Sequence, residues 1–428
     1  MSAALGSAAA PAPSPPSGTP ASSCRSCGAT ALHTVLDLGM SPPRHRYLRR
    51  EQLQQAEPFY PLQLGVCSAC YLVQLVQDDG GSDDGAHKKP RLTPSSARVT
   101  HARKFTAKTI EELRLTPRHQ VLQIESHDGY LLQHYVAAGI PVLGIEPELA
   151  AARAAGNRGV RSRIELFTTR TARALRDEGI QADLLIARSL AQARDLNDVV
   201  AGMKLLLAPR GVVTIECPHL LRLVVDRQLD MIAHERVSYF SLVALTQILA
   251  RHGLAIYDAD ELDAEDGWLR LFACHSEDPL RPITPRVDSC LAREREAGFD
   301  TVENYAGLAE PVHDAKRKLL SFLISAKDNG KHIAGYGASG RANVLLNYCG
   351  IRADFLDYTV DDDPERQGTY LPGTHIPVES PDRLRQTCPD YILILPGTQR
   401  RAVLAQLESI RAWGGQCVVP LPEVRVVT

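Results

Sequence analysis

A chain of 428 residues has room for two or three domains, and a 44% hydrophobic content lets each of them bury a core. Its 48 basic and 50 acidic residues leave a net charge of -2, which excludes a basic field for nucleic acid or a membrane surface, and no apolar run approaches the roughly 18 residues needed to span a bilayer. The 10 cysteines are too scattered for a disulfide framework, and the N-terminus lacks a charged segment followed by an apolar one, so the chain reads as cytoplasmic.

Residues 1–22 are Ala/Pro/Ser/Gly-rich and bury too little apolar surface to offset their ordering entropy, so this tail is expected to be disordered. Two CxxC pairs follow, Cys24-Arg-Ser-Cys27 and Cys67-Ser-Ala-Cys70. Each pair can turn through a tight knuckle and present both sulfurs to one ion. A closed set of four thiolates suits tetrahedral Zn²⁺ in a structural role. The strand-like pieces Val35–Leu38 and Tyr60–Val66 lie between the pairs, and a module of this size, residues 23–78, needs its metal to fold. Residues 79–100 read as a polar linker. Lys88-Lys-Pro-Arg91 within it is more simply a solvated linker than a nuclear-localisation signal.

From residue 101 the pattern becomes α/β, with a first helix over 101–113. Val121 to Ile124 is a buried strand, Gly129 permits a tight turn into a helix, and Val142 to Ile145 is a second strand ending in Glu146. Open α/β sheets bind ligands at this edge, and an acid there can accept hydrogen bonds from ribose hydroxyls; the alternative is an ordinary βαβ unit with a surface glutamate. Strands over 164–167, 182–187 and 212–217 alternate with helices over 172–178 and 196–207, which implies a doubly wound parallel sheet. Residues 225–239 are polar and irregular; a helix over 242–252 and a strand over 268–274 follow, and the strand could complete the sheet.

The C-terminal domain, residues 281–428, begins with two helices, over 292–309 and 312–327, and continues as a second Rossmann-like unit. It opens on the glycine-rich Ala334-Gly-Tyr-Gly-Ala-Ser-Gly340 and has further strands over 355–360, 391–395 and 416–420. Its glycines serve either close helix–strand packing or binding of a phosphate-bearing substrate at the helix start.

The order of modules, with Val35-Leu-Asp-Leu-Gly39, Asp128-Gly-Tyr-Leu-Leu132, Gly144-Ile-Glu-Pro147, Asn343-Val-Leu-Leu-Asn-Tyr-Cys-Gly350, Gln367-Gly-Thr-Tyr-Leu-Pro-Gly-Thr-His-Ile-Pro377 and Pro389-Asp-Tyr-Ile-Leu-Ile-Leu-Pro396, resembles the sugar C-methyltransferases of deoxysugar biosynthesis. The resemblance implies a Cys₄ zinc module, an S-adenosylmethionine-dependent methyltransferase domain over 101–280 and a C-terminal domain. It also implies a small-molecule substrate that is a nucleotide-linked keto-sugar, with no nucleic-acid or membrane partner and a monomer or weak dimer. Carried onto this chain, it places the cofactor on Ser126, Asp128, Gly129, Glu146 and Phe167, and the substrate on Arg236, Tyr239, Tyr336 and Asn343.

The chain departs from the family pattern at its site. Asp-x-Gly-Ser-Asn-Asp-Gly has become Gln123-Ile-Glu125-Ser126-His127-Asp128-Gly129, placing a carboxylate where a methionine moiety should lie. That carboxylate repels the cofactor's own or pairs with its ammonium or sulfonium. Tyr-His-Glu-His has become Ala233-His234-Glu235-Arg236, and an arginine is no base at neutral pH. A family histidine corresponds to Gln192, a tyrosine to about Thr93, and His-Gly-Gly-Ser to Glu265-Asp266-Gly267-Trp268. Glu235, His234 and His219 remain as candidates for proton transfer. Two expectations follow: a divergent C-methyltransferase, or a member repurposed as a pseudo-enzyme, sugar-nucleotide binder or proton-transfer enzyme.

Overall fold

The computed structural model describes residues 23–77, 96–262, 267–395 and 400–427. The expected disordered tail, the linker as far as residue 95, Thr93, Glu265-Asp266 and Pro396 lie outside the described residues.

Three sheets carry the chain. The first has the order β1 (Leu32–Ser41), β2 (Tyr60–Cys67), β3 (Val73–Leu75) and β9 (Ser238–Tyr239), all antiparallel. The two-residue β9 comes from the irregular stretch that the sequence assigns to the second module. Val73 pairs with Tyr239 and Gln74 with Ser238, and Leu75 N–H donates to Val237 O at 3.1 Å.

The second sheet comprises β4 (Val121–Ile124), β5 (Val142–Ile145), β6 (Ser162–Arg163), β7 (Ala182–Ala187), β8 (Leu207–Pro218), β10 (Leu254–Leu262) and β11 (Trp268–His275). Their order is β10-β11-β8-β7-β4-β5-β6, with β11 antiparallel to both neighbours. Strand direction of winding reverses between β4 and β7, so the crevice at their carboxyl ends is the switch point where open α/β sheets bind ligands. The third sheet, β14 (Val378–Glu379), β13 (Thr359–Val360), β12 (Ile333–Tyr336), β15 (Tyr391–Ile394), β16 (Gln416–Val419) and β17 (Arg425–Val427), is parallel except for β17. It has its own switch point between β12 and β15.

Several expected elements move. The first helix starts at Ser96, inside the expected linker. The strand expected over 164–167 is only Ser162–Arg163, and Ile164 and Leu166 beyond it are 49% and 61% exposed. The helix expected over 292–309 runs Pro285–Glu296, because Pro285 suits a helix start and Gly298, at φ +80°, turns the chain away after it. That helix packs on β10 and on the helix Leu242–Arg251, so the contacts of the second sheet run past residue 280.

One apolar cluster joins Leu36, Leu64 and Leu75 of the first sheet, Leu229 and Ile232 of the 219–241 loop, and Leu345, Leu371 and Val418 of the third module. A second joins Cys24, Cys67 and Cys70 to Leu242, Leu245 and Leu249. The zinc module is therefore wedged against both larger modules, and its metal knuckle lies over the methyltransferase-like sheet's helices: Asn197 Nδ2 donates to Arg25 O (3.1 Å) and Ser26 O (2.9 Å), and Arg251 Nη1 to Ser26 Oγ (2.7 Å).

Candidate active site and metal centre

The ligand atoms of Cys24, Cys27, Cys67 and Cys70 all lie within 4.8 Å of one another, with Sγ–Sγ distances of 3.5 Å (Cys24–Cys70) and 3.4 Å (Cys27–Cys67). Tetrahedral zinc with bonds of about 2.3 Å holds its sulfurs roughly 3.8 Å apart, so the set fits with a small adjustment. The two knuckles repeat one geometry. Ser26 N–H points at Cys24 Sγ and Ala69 N–H at Cys67 Sγ, both at 3.4 Å. Four residues past the first cysteine of each pair, Gly28 (φ +75°) and Tyr71 (φ +57°) make the left-handed turn and donate to Cys24 O and Cys67 O. The contact between Cys70 and Cys24 lowers the Cys24 thiol and raises that of Cys70, and burial raises Cys67.

At the switch point of the second sheet, β4 runs into a turn with alternating left-handed residues: Glu125 (φ +50°), His127 (φ +50°) and Gly129 (φ +73°). Two of the three are not glycine, and each such residue costs about 1–2 kcal/mol of local strain. The turn is held by its surroundings. Glu146, buried at the end of β5, accepts His127 N–H (2.8 Å) and Glu148 N–H (2.9 Å), and Arg158 Nη1 donates to Asp128 Oδ2 (2.6 Å) and Asp128 O (2.7 Å). Arg158 is a residue the sequence reading did not single out.

The other expected cofactor residues face inward. Ser126 is fully buried over Gly144, where a Cβ would lie 2.3 Å from its Oγ. Gly129 lets the turn approach the helix Leu149–Gly156, since a Cβ there would sit 3.1 Å from that of Ala155. Phe167 packs its ring on Gly202 of the helix Leu196–Leu206. This edge offers a ligand the half-buried Glu125 and the exposed His127, Ile164 and Leu166. Glu125→Gly is expected to stabilise the fold by roughly 0.5–1 kcal/mol, the left-handed penalty less the backbone entropy that glycine loses on folding. Chemical denaturation measures this; a loss of stability would mean that the carboxylate makes contacts outweighing the strain.

Beside the turn, the carboxyl end of β7 delivers Arg188. Its Nη1 donates to Tyr130 Oη (2.5 Å) and its Nε lies 2.7 Å from Glu216 Oε2. Arg270 Nε (2.6 Å) and His101 Nε2 (3.1 Å) complete the shell of Glu216. Burial opposes ionisation of Glu216, but Arg188, His101 and Arg270 hold its carboxyl below the usual range. This ionic cluster fixes the floor of the switch point. An acid inside the apolar strand Val212–Cys217 was the one sign of it in the sequence.

The loop after β8 sorts the expected catalytic residues. His219 is 1% exposed, and its Nε2 bonds Glu294 Oε1 at 2.6 Å. Both Glu294 oxygens accept N–H groups, from Leu242 (2.6 Å) and Val243 (2.8 Å). His219 and Glu294 thus cap the helix Leu242–Arg251 from inside the protein, which removes His219 from any reacting carbon. His234 sets its ring edge-on to Tyr60 (6.0 Å) with Nε2 3.4 Å from Tyr60 O. Arg236 Nη1 donates to Met231 O (2.7 Å), and the buried Tyr239 hydroxyl accepts from Ala233 N–H (2.9 Å); burial pushes that phenol up to about 12. Arg236 and Tyr239 therefore brace the loop.

Glu235 of this group meets the zinc module through charged side chains. Its Oε2 is 3.1 Å from Arg44 Nε and its Oε1 3.7 Å from His45 Nε2, both on the β1–β2 connection. Burial raises the Glu235 pKa, but Arg44 and then His45 outweigh it and lower it to about 2. The same connection docks on the third module. Tyr47 Oη donates to Ala338 O (2.5 Å), Leu48 and Tyr370 exchange backbone hydrogen bonds, and Glu57 takes Gly373 N–H (3.0 Å) and the His375 ring. From the third module, Arg341 ion-pairs with Asp230 of the loop. Asn343, in the first turns of the same helix, Gly340–Cys349, is fully buried and accepts from Asn347 Nδ2 (3.0 Å). Tyr336 Oη lies 3.1 Å from Asp362 Oδ2 and 3.0 Å from Gln406 Oε1. The structure thus brings together Glu235, Arg44, His45 and the glycine loop ahead of Gly340, and turns His219 into the core.

Residues 24–78 match the family model described as "Putative zinc binding domain", and residues 263–422 match that of the C-methyltransferase C-terminal domain. The C-methyltransferase NovU of Streptomyces niveus is 29% identical over 96% of this chain and 97% of its own length. Solved structures similar to parts of it include the magnesium protoporphyrin IX methyltransferase ChlM of Synechocystis PCC 6803 (14% identity, TM-score 0.34, 42% of this chain and 84% of that one). Another is the glycopeptide N-methyltransferase MtfA (12% identity, TM-score 0.32, 41% and 93%).

Proposed function

The chain belongs to the C-methyltransferases with an N-terminal zinc-binding domain, and we propose that it transfers a methyl group from S-adenosylmethionine to the carbon beside the ketone of a nucleotide-linked keto-sugar. The observation that supports this best is the position of Glu235. It lies in the loop that follows β8, and it faces Arg44 and His45 of the zinc module, on the connection that also docks on the third module.

On this reading Glu146 takes the ribose hydroxyls with the lone pairs that His127 and Glu148 leave free, and Ile164 and Leu166 flank the base. Glu125 meets the ammonium or sulfonium, the charge its own carboxylate suits. S-adenosylmethionine, when bound, supplies an electrophilic methyl group. The chain's own task is to remove the proton next to the ketone, hold the enolate charge and keep water out. Glu235 belongs to the proton-transfer machinery, and Arg44 keeps it ionised. On the side of the third module, the helix start at Gly340 receives the substrate's diphosphate, while Asn343 is buried within that helix and Tyr336 is held by Asp362 and Gln406.

Labelled methyl transfer from S-adenosylmethionine to a panel of keto-sugar nucleotides tests the reading, together with calorimetric binding of the donor. Glu125→Gly is expected to weaken that binding, because a salt-bridged ammonium loses its partner. Absence of both binding and transfer would instead support a repurposed member, for which the replacement of the tyrosine and second histidine by Ala233 and Arg236 is the motive.

A further inference from the structure

His219 opens the loop that carries Glu235, yet methyl transfer makes no use of it, and its surroundings are those of a metal ligand. We propose that His219, Cys290 and Glu261 form a second metal site, suited to Zn²⁺, with Glu294 holding the histidine from behind. The site stands independently of the methyltransferase reading.

Three observations converge on it. The first is the tautomer. The fully buried Glu294 takes Leu242 N–H on Oε1 and Val243 N–H on Oε2, and Oε1 also lies 2.6 Å from His219 Nε2. A carboxylate that accepts on both oxygens leaves the proton of that hydrogen bond on Nε2, so the neutral ring keeps its lone pair on Nδ1. The second is what faces that lone pair. Nδ1 is buried and has no hydrogen-bond partner, and Glu261 Oε1 lies 3.6 Å from it. Cys290 Sγ is 3.9 Å from the same oxygen, and the ligand atoms of His219, Cys290 and Glu294 all lie within 4.8 Å of one another. Two electron-pair donors that face each other beside a histidine side chain 0% exposed need a positive charge between them. The third is distance. Zinc bonds of about 2.0–2.2 Å to nitrogen and oxygen and about 2.3 Å to sulfur set tetrahedral neighbours roughly 3.3–3.5 Å apart. Nδ1, Oε1 and Sγ thus reach one ion after a small closure. The 2.6 Å between Nε2 and Glu294 is too short for two ligands of one ion, which puts Glu294 behind the ring.

A carboxylate that fixes a histidine whose other nitrogen meets a metal is a common supporting arrangement. One imidazole, one thiolate and one carboxylate suit Zn²⁺ and disfavour Mg²⁺ or Ca²⁺, which take oxygen. Three protein ligands leave the fourth position to water, on the side of Glu261, whose side chain is 38% exposed. On binding, the Cys290 S–H bond breaks as the sulfur–metal bond forms, and its proton goes to solvent; His219 and Glu261 give lone pairs they already hold. Arg293 Nη2, which donates to Glu261 Oε1 at 2.5 Å, is the cation that competes with the metal. The ion would tie together the residue after β8, strand β10 and the helix Pro285–Glu296, at the root of the Glu235 loop.

The test is titration of Co²⁺ onto the full chain, first dialysed against a weak chelator to about one zinc per chain, in the four-thiol centre. Wild type is expected to take up about one Co²⁺ with a thiolate-to-metal absorption band while its zinc content stays constant. Cys290→Ser should remove the band. Cys388→Ser, at an exposed cysteine of the third module, should leave it. Glu294→Gln should weaken binding by about 10–100-fold. Arg293→Gln should tighten it, the direction opposite to that of a damaged fold. Failure of wild type to take up Co²⁺, or a band that survives Cys290→Ser, overturns the proposal and leaves His219 as an imidazolium between Glu294 and Glu261.

Discussion

Glu235→Gln is expected to lower methyl transfer by about 10²–10⁴ with donor affinity nearly unchanged, the loss typical of a positioned acid–base group. The amide keeps the shape of the side chain but cannot neutralise Arg44, whose side chain is only 15% exposed. The substitution should therefore also lower the melting temperature, because Arg44 would sit beside a neutral group at the junction of modules. The pH dependence has a definite sign. The folded Glu235 pKa is depressed, from 4.5 to about 2, so its ion pair contributes stability that is complete above about 4.5 and is lost as pH falls toward 2. Glu235→Gln should flatten that part of the acid-denaturation curve. Methyl transfer that survives Glu235→Gln at the wild-type rate would remove this loop from the catalytic centre.

Removing the zinc is expected to do more than unfold a small module. Structural zinc contributes roughly 10–16 kcal/mol of apparent binding energy in isolated fingers, comparable to the whole stability of a typical domain at about 5–15 kcal/mol. Here Cys24, Cys67 and Cys70 belong to the same apolar cluster as the helix Leu242–Arg251, and β3 is the strand on which β9 forms. Cys67→Ser, or strong chelation, should release about one zinc per chain. It should expose residues 23–77 to exchange and raise hydrogen exchange across Val237–Phe240 in the second module. The Glu235 loop ends in β9, so methyl transfer should fall with it although no cysteine touches substrate. Metal loss with protection of 23–77 unchanged would refute a structural role.

Much of this was legible locally. Two CxxC pairs fix a tetrahedral thiolate set by spacing alone, and the structure closes it. The largely apolar runs at 121–124, 142–145 and 182–187 are parallel strands of the second sheet, because a strand covered on both faces is predominantly apolar. Glu146 was singled out as an acid at the end of such a strand; the structure shows it buried there and bracing the turn through His127 and Glu148. Strand β10 escaped because Asp258, Asp260 and Glu261 break its apolar pattern. They are satisfied by Arg286, Lys108 and Arg293 from elsewhere in the chain. Glu125 was visible as an odd residue, but its left-handed backbone was not.

The site itself was decided by contacts between distant residues. The sequence by itself determined the two CxxC pairs that cluster in the structure, the α/β alternation behind the second and third sheets and the presence of Glu235 in a departed motif. Only the tertiary structure decided that His219 is a buried cap partner, that Gln367–Pro377 helps dock the zinc module through Tyr370, Gly373 and His375, and that Arg44 and His45 face Glu235. The physical reason is separation along the chain. Periodicity and turn chemistry report which side of an element is buried. They carry no information on which loop, 291 residues away in the case of Tyr47 and Ala338, supplies the group that meets it.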